Sequence, residues 1–311
     1  MTLLKVENLK KSFKDVNAVN DITFQVNKGE IFGLLGPNGA GKSTTISIIS
    51  TLLNPTKGKV FYRGEDIFKN PKAIQEKMGV VPQEIALYPT LKGYENLKFW
   101  GNLYGLKGNN LKKRIDEVAD IVGLKDKLKT KVENYSGGMK RRLNIAAALL
   151  HEPEILIMDE PTVGIDPQSR NHILDTVLEL NKKGMTIIYT SHYMEEVELL
   201  CTRISIMDKG QVIALGTKDE LVNIIKGHKK IELTFDNIPP NLLDKLKIIE
   251  EVEEVDSKDN IIILTMKNGD MAFKDILDKV MGTESSILSI DIKKPSLEAV
   301  FLHLTGRALR D

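Results

Sequence analysis

The sequence reads as an α/β protein, a mostly parallel sheet with crossover helices, interrupted by a helical insert and followed by a small α+β segment. Three observations carry this reading. A glycine-rich loop, Gly36-Pro37-Asn38-Gly39-Ala40-Gly41-Lys42-Ser43-Thr44, lies between a short apolar run and an apolar-periodic helix. Strand and helix patterns alternate from Ser136 to Leu215. Near Ile225 the pattern changes to shorter, more polar elements.

In chain order, two strands come first, Leu4–Asn8 and Ile22–Val26, joined by a polar turn around Lys14-Asp15. Ile31–Leu35 is a short buried strand, and the helix behind the glycine loop runs from Lys42 to about Leu52. Lys59–Tyr62 and Val80–Val81 are further short strands. From about Thr90 to Gly123 apolar residues recur at helical spacing: Leu97, Trp100, Leu103 and Tyr104, then Leu111, Ile115, Val118 and Ile121-Val122. The helical insert is placed at about 90–150. A helix follows Ser136, then a strand Ile155–Met158, a helix Pro167–Lys182, a strand Thr186–Tyr189 and a helix Met194–Leu200. Ile204–Met207 and Gln211–Leu215 close the alternation around a turn at Asp208-Lys209-Gly210. The polar junction Lys226-Gly227-His228-Lys229-Lys230 divides a first domain, 1–225, from a second, 226–311. The second is expected to hold strands Ile231–Phe235, Ile261–Met266 and Ile287–Ile292, with a helix near Met271–Val280. It ends in an amphipathic helix with Leu297, Val300, Phe301 and Leu304 on one face, capped by Gly306.

Composition narrows the function classes. At 311 residues and 41% apolar the chain is long enough for two domains. A net charge of +1 gives no polyanion-binding surface, so no nucleic-acid partner is expected. Cys201 is the single cysteine, which excludes a disulfide framework, and it is expected to be a small buried side chain. No apolar run reaches the roughly 18–20 residues of a membrane span, and Met1–Glu7 is too charged for a signal peptide. A membrane role is therefore expected only through a partner.

The glycine loop fits G-x-x-x-x-G-K-[ST] without mismatch: backbone N–H groups close around phosphates, Lys42 adds charge, and Ser43 offers a hydroxyl to magnesium. Tyr135-Ser136-Gly137-Gly138-Met139 is a second Gly-Gly turn opening a helix, hence a second anion site. One nucleotide needs one cradle, so two cradles imply nucleotides shared between two copies. Asp159 and Glu160 end an apolar strand, where adjacent carboxylates are costly unless a cation and a reaction employ them. Asp159 would hold the metal through water and Glu160 would orient or deprotonate the attacking water; the other reading is a capping pair ahead of Pro161-Thr162. His192 ends another strand and would bond the γ-phosphate, whereas His151, His172, His228 and His303 read as structural or surface groups. Gln83, after Val80-Val81-Pro82, stands at a third strand end, where its amide can reach magnesium or water. Asp166 reads as a helix N-cap before Pro167. Phe13 offers an aromatic face for adenine, with half-buried packing as the alternative.

Taken in order, the aromatic loop at Phe13, GPNGAGKST, VVPQ, YSGGMKRR, ILIMDEP, GIDP and TSH resemble the ATP-binding subunit of an ABC transporter over roughly residues 1–225. The resemblance implies a P-loop NTPase cassette that hydrolyses ATP with magnesium. Gly36, Pro37, Asn38, Gly39, Ala40, Gly41, Lys42, Ser43 and Thr44 would hold the ATP, and Phe13 would stack on its adenine. Magnesium would fall to Ser43, Gln83 and Asp159, and catalysis to Glu160, His192, Gln83 and Lys42. Subunits would pair head to tail as a homodimer or heterodimer, with Ser136, Gly137 and Gly138 of one facing the other's ATP and Asp166 communicating between them. Tyr135 and Met139 depart from the commonest signature, Leu-Ser-Gly-Gly-Gln. The tail Pro295–Gly306 resembles daunorubicin-resistance-type subunits, which pair with separately encoded type-two export permeases. Tyr88-Pro89-Thr90-Leu91 and Glu95-Asn96-Leu97 match the part of the insert that would touch such a permease, at the cytoplasmic face of the cell membrane. The function expected is an exporter ATPase; the other reading is a soluble ABC ATPase acting without a permease.

Overall fold

In the computed structural model, which describes residues 1–225, 229–267, 273–281, 286–293 and 296–306, the chain opens as an antiparallel hairpin. Its strands β1 (Thr2–Phe13) and β2 (Val16–Asn27) turn at Lys14, where φ is 47°. Both run well past the predicted spans. Apart from Leu3, burial falls on one face, through Leu4, Val6, Leu9, Ile22, Phe24 and Val26, so charged residues continue the strands on the solvent face. Next come β3 (Ile31–Leu35), α1 (Lys42–Ile49), β4 (Lys57–Tyr62), β5 (Glu65–Asp66), α2 (Pro71–Gln75) and β6 (Met78–Val81). The α1 helix stops short of Leu52 because Thr51 turns left-handed, with φ 61°. The insert supplies α3 (Gly93–Leu103), α4 (Gly108–Ile121) and α5 (Gly137–Leu149). The alternating part follows as β7 (Ile155–Asp159), α6 (Pro167–Lys182), β8 (Thr186–Ser191), α7 (Met194–Leu200), β9 (Arg203–Asp208) and β10 (Gln211–Gly216).

Two sheets result. The first is antiparallel, in the order β2-β1-β4-β5; the second runs β10-β9-β3-β8-β7-β6 and is parallel except for β10 at its edge. β7 and β8 are buried on both faces, which is why they read as unbroken apolar runs. Ile46 and Ile49 of α1 join Phe24 of the first sheet and Ile157 and Ile188 of the second in one core. The register decides where chemistry can sit. Leu35 pairs with Ser191, Asp159 with Thr190, and Val81 with Met158. The glycine loop, Glu160, Gln83 and His192 therefore all leave the sheet at its carboxyl edge, where open α/β sheets bind ligands.

The chain divides into two compact units, the first Met1–Thr217 and the second beginning at Lys218. This division differs from the sequence boundary at residue 225. The reason is that α8 (Lys218–Val222) and the 3-10 turn Asn223–Ile225 pack against the last helix of the second unit. That unit continues with β11 (Lys229–Phe235), α9 (Leu242–Lys247), β12 (Val252–Lys258), β13 (Ile261–Met266), α10 (Phe273–Met281), β14 (Ile287–Lys293) and α11 (Leu297–Thr305). Its antiparallel sheet, β12-β13-β11-β14, packs Leu233, Phe235, Ile262 and Leu264 against Leu242, Leu246 and Ile276. Leu297, Val300 and Phe301 are buried and Gly306 caps α11 at φ 70°. The predicted junction residues Lys226, Gly227 and His228, and also Met271 and Pro295, lie outside the described residues.

Candidate functional site

Beyond the carboxyl edge of the parallel sheet lies a cleft of ≈ 640 Å³ walled by residues 38–44 and by Ala18, Gln83 and Glu160. The loop can fold here because Gly41 has φ 100°, and a Cβ on it would lie 2.5 Å from the Ala18 carbonyl oxygen. Lys42 begins α1 yet is only 4% exposed. Its ammonium donates to the carbonyls of Gly36 at 2.7 Å and Pro37 at 3.1 Å, and lies 3.2 Å from Glu160 Oε1.

Glu160 is the meeting point. It is 5% exposed and takes φ 45°, a left-handed conformation that a non-glycine residue adopts at a cost. The turn sends its carboxylate back into the cleft, where Oε2 lies 3.3 Å from Gln83 Nε2 and 3.5 Å from His192 Nδ1. Three of the predicted residues, Lys42, Gln83 and His192, thus converge on the carboxylate of a fourth, Glu160. Asp159, 7% exposed, accepts a hydrogen bond from the Thr190 hydroxyl at 2.6 Å. That same hydroxyl accepts from the Glu160 N–H at 2.9 Å, so Thr190 ties the Asp159 carboxylate to the backbone of Glu160. Sequence reasoning misses Thr190 because its partners lie about 30 residues away; the only hint is a threonine level with Asp159 on a buried strand. It misses Arg141 too. That residue is 4% exposed, and its guanidinium donates to the carbonyls of Pro82 and Gln83, each at 2.6 Å. Burial pushes its pKa down, against the field of Asp159.

Ser136 caps α5, its hydroxyl accepting from Met139 N–H at 3.2 Å. A Cβ on Gly138 would fall 2.3 Å from Cβ of Ser169, so glycine is required where α5 meets α6. On Gly137 the nearest atom would be Ile165 Cδ1 at 3.7 Å. Asp166 is the N-cap of α6, accepting from Ser169 N–H at 2.9 Å, and this bond holds its carboxyl below the usual range. Tyr135 is buried and donates to the Lys127 carbonyl at 2.7 Å, which gives the departure from leucine a structural use. None of Ser136, Gly137, Gly138, Asp166 and Phe13 lines the cleft. Phe13 is 46% exposed, with the Lys11 ammonium 5.0 Å from its ring centroid, and its cross-strand partner Val16 does reach the cleft wall.

A second depression, ≈ 420 Å³, lies between the end of β6 and the helical insert. Val80, Pro82, Trp100, Tyr104, Asn144 and Ala148 are in its wall. Among the described residues, the buried Trp100 Nε1 and Asn144 Nδ2 there have no hydrogen-bond acceptor.

Comparison with known proteins agrees with this geometry. The family model described as "ABC transporter" matches residues 19–163. The chain is 50% identical over 311 residues to the linearmycin resistance ATP-binding protein LnrL of Bacillus subtilis (strain 168), covering 99% of this chain and 100% of that one. It is 34% identical over 312 residues to the daunorubicin resistance ATP-binding protein DrrA3 of Streptomyces coeruleorubidus, covering 98% and 96%. A solved dimeric post-hydrolysis state of an ATP-binding cassette, bound to ADP and Pi, is similar with a TM-score of 0.64 and 27% identity over 69% of this chain and 98% of that one. Likeness that runs the whole length of the chain, together with a phosphate loop facing a strand-end glutamate, means that the chain belongs to the ABC transporter family as an ATP-binding subunit.

Proposed function

We propose that this subunit hydrolyses ATP in the cleft at the carboxyl edge of its parallel sheet and thereby drives export through a separate membrane permease. The observation that carries the proposal is the placement of Glu160, within 3.2–3.5 Å of Lys42, Gln83 and His192. Lys42 exchanges its loop carbonyls for the β- and γ-phosphates, and the N–H groups at the start of α1 cradle the same oxygens. Glu160 accepts a proton from water as that water attacks the γ-phosphorus; the bond to the β–γ bridging oxygen breaks, giving ADP and phosphate. His192 holds the γ-phosphate, and Gln83 holds the Glu160 carboxylate in the line of attack.

Magnesium fits the donors present. The Ser43 hydroxyl, the Asp159 carboxylate and the Gln83 amide oxygen are hard ligands. When bound, the ion would neutralise charge on the β- and γ-phosphates. Phe13 would stack on the adenine at the open end of the cleft.

The position of Ser136–Gly138 outside the cleft wall supports a head-to-tail pair in which each copy's signature loop closes on its partner's nucleotide. The names of the relatives, which speak of resistance to linearmycin and daunorubicin, favour export over an ATPase acting without a permease. No helix among the described residues is long and apolar enough to cross a membrane.

The test is Glu160→Gln, an isostere that cannot take the proton. ATP binding should persist, turnover should fall by about 100-fold or more, and ATP with magnesium should accumulate a dimer on size exclusion. Turnover near the wild-type rate would remove Glu160 from this role.

A further inference from the structure

One buried charge has no part in the chemistry above. Glu196, on α7, is 1% exposed. Its carboxylate pairs with Arg170 Nε at 2.6 Å and accepts hydrogen bonds from the hydroxyls of Thr162 at 2.7 Å, Tyr189 at 2.8 Å and Ser191 at 3.1 Å. All four partners donate, and a carboxylate is acceptor-only, which accounts for glutamate rather than glutamine. A buried ion pair is often replaceable by apolar side chains without loss of stability, so stability alone does not account for a charge here.

What the donors are attached to is more informative. Thr162 is the second residue past Glu160, in the turn that leaves β7. Ser191 immediately precedes His192, and its hydroxyl also accepts from Tyr193 N–H at 2.9 Å, closing the turn around the histidine. Arg170 lies in the first turns of α6, where its N–H donates to the Asp166 carbonyl at 2.9 Å. One carboxylate therefore binds the two turns that present Glu160 and His192, and with them the start of α6. The fourth donor, Tyr189, stands inside β8 with ladder partners on both sides, Gly33 and Met158. Its backbone is fixed without Glu196.

We propose that Glu196 is a positioning residue for ATP hydrolysis, its buried carboxylate holding the turns behind Glu160 and ahead of His192, and the start of α6, in one register. This rests on the reading of Glu160 as the general base. A displacement of the base by a fraction of an ångström alters the approach of water to phosphorus while leaving the phosphate cradle at residues 36–44 intact. The signature is a loss in kcat with ATP affinity unchanged.

The experiment compares Thr162→Val, Ser191→Ala, Glu196→Gln and Tyr189→Phe in the full chain, measuring magnesium-ATP hydrolysis and the binding of a fluorescent ATP analogue, with Glu160→Gln as reference. Thr162→Val cuts one tie to a cleft turn, and Ser191→Ala cuts another together with the bond from Tyr193 N–H; both keep the side-chain volume nearly unchanged. They should lower kcat by about 10- to 100-fold with KM for ATP within about twofold. Glu196→Gln should do the same or more. Tyr189→Phe loses a bond of the same kind to the same carboxylate, and kcat should stay within about twofold of wild type. Equal effects of Thr162→Val and Tyr189→Phe, or a rise in KM without loss of kcat, would overturn the positioning role. If Glu160→Gln is inactive while Thr162→Val and Ser191→Ala match wild type, the positioning role alone fails. If Glu160→Gln itself turns over normally, both it and the general-base reading fail.

Discussion

Two adjacent glycines serve different ends. At Gly138 the Cβ of an alanine would lie 2.1 Å from Oγ and 2.3 Å from Cβ of Ser169, so the starts of α5 and α6 would have to separate. At Gly137 the nearest neighbour is 3.7 Å away, an ordinary contact. Gly138→Ala should therefore cost about 1–3 kcal/mol of stability by overpacking, read as a lower denaturant midpoint. Gly137→Asp should unfold like wild type and bind ATP as a monomer, yet fail to pair or hydrolyse. Its carboxylate would face the partner's γ-phosphate, where like charges meet in a partly dry interface. A normal hydrolysis rate in Gly137→Asp would mean that this turn does not meet nucleotide. The sequence alone shows both glycines as one motif; only the 2.3 Å approach of Ser169 separates a packing requirement from an open surface position.

Between elements, His151 joins the helical insert to the parallel sheet. It follows α5, stacks on Tyr104 at the end of α3 with centroids 3.8 Å apart, and bonds the Met78 carbonyl of β6 through Nε2 at 3.1 Å. Burial lowers its pKa from the ordinary 6.5; the bond to Met78 opposes this, and the Arg114 charge adds to it. The unfolded chain then binds a proton that the fold resists, so stability is full above about pH 6.5 and declines as pH falls from there toward the lowered value. His151→Phe keeps the stack and removes the titration. Its unfolding free energy should fall less steeply than wild type's between about pH 7 and about pH 5, measured by denaturant melts. A parallel pH slope would exclude His151 as the source. Elements of this kind are unevenly legible. Ile155–Met158 and Thr186–Tyr189 read directly as strands because both faces are buried. β12, Val252-Glu253-Glu254-Val255-Asp256-Ser257-Lys258, does not, because this edge strand has mostly exposed side chains and carries charge at Glu253, Glu254, Asp256 and Lys258. The site follows the same rule. Lys42 stands at a helix start behind a glycine loop, and Gln83, Glu160 and His192 stand just past strand ends, where a polar residue needs a reason. Thr190, Arg141 and Glu196 are defined by partners that only the sheet register brings near.

For the whole molecule, the decisive fact is that the hydrophobic residues form separate cores. Phe24, Ile46, Ile157 and Ile188 belong to one; Leu233, Phe235, Leu264 and Ile276 belong to another, and every cleft residue lies in the first unit. Two cores with no shared side chain are expected to unfold as two cooperative events, so one midpoint would not describe the chain. Phe235 is fully buried in β11, between β13 and β14. Phe235→Ala removes its ring from the second core and should destabilise that unit by about 3–5 kcal/mol. Calorimetry should show two transitions in wild type, only one of which moves in the variant. ATP affinity, read with a fluorescent analogue below the lower transition, should match wild type, since no atom of the cleft belongs to the altered core. If both transitions shift together, or if ATP affinity falls with the second unit still folded, the units are energetically one and the cleft depends on residues beyond Thr217. A moved transition with intact binding leaves the second unit free of chemistry. Any loss seen in ATP-dependent pairing or permease-stimulated turnover of the same variant would then assign that unit to assembly.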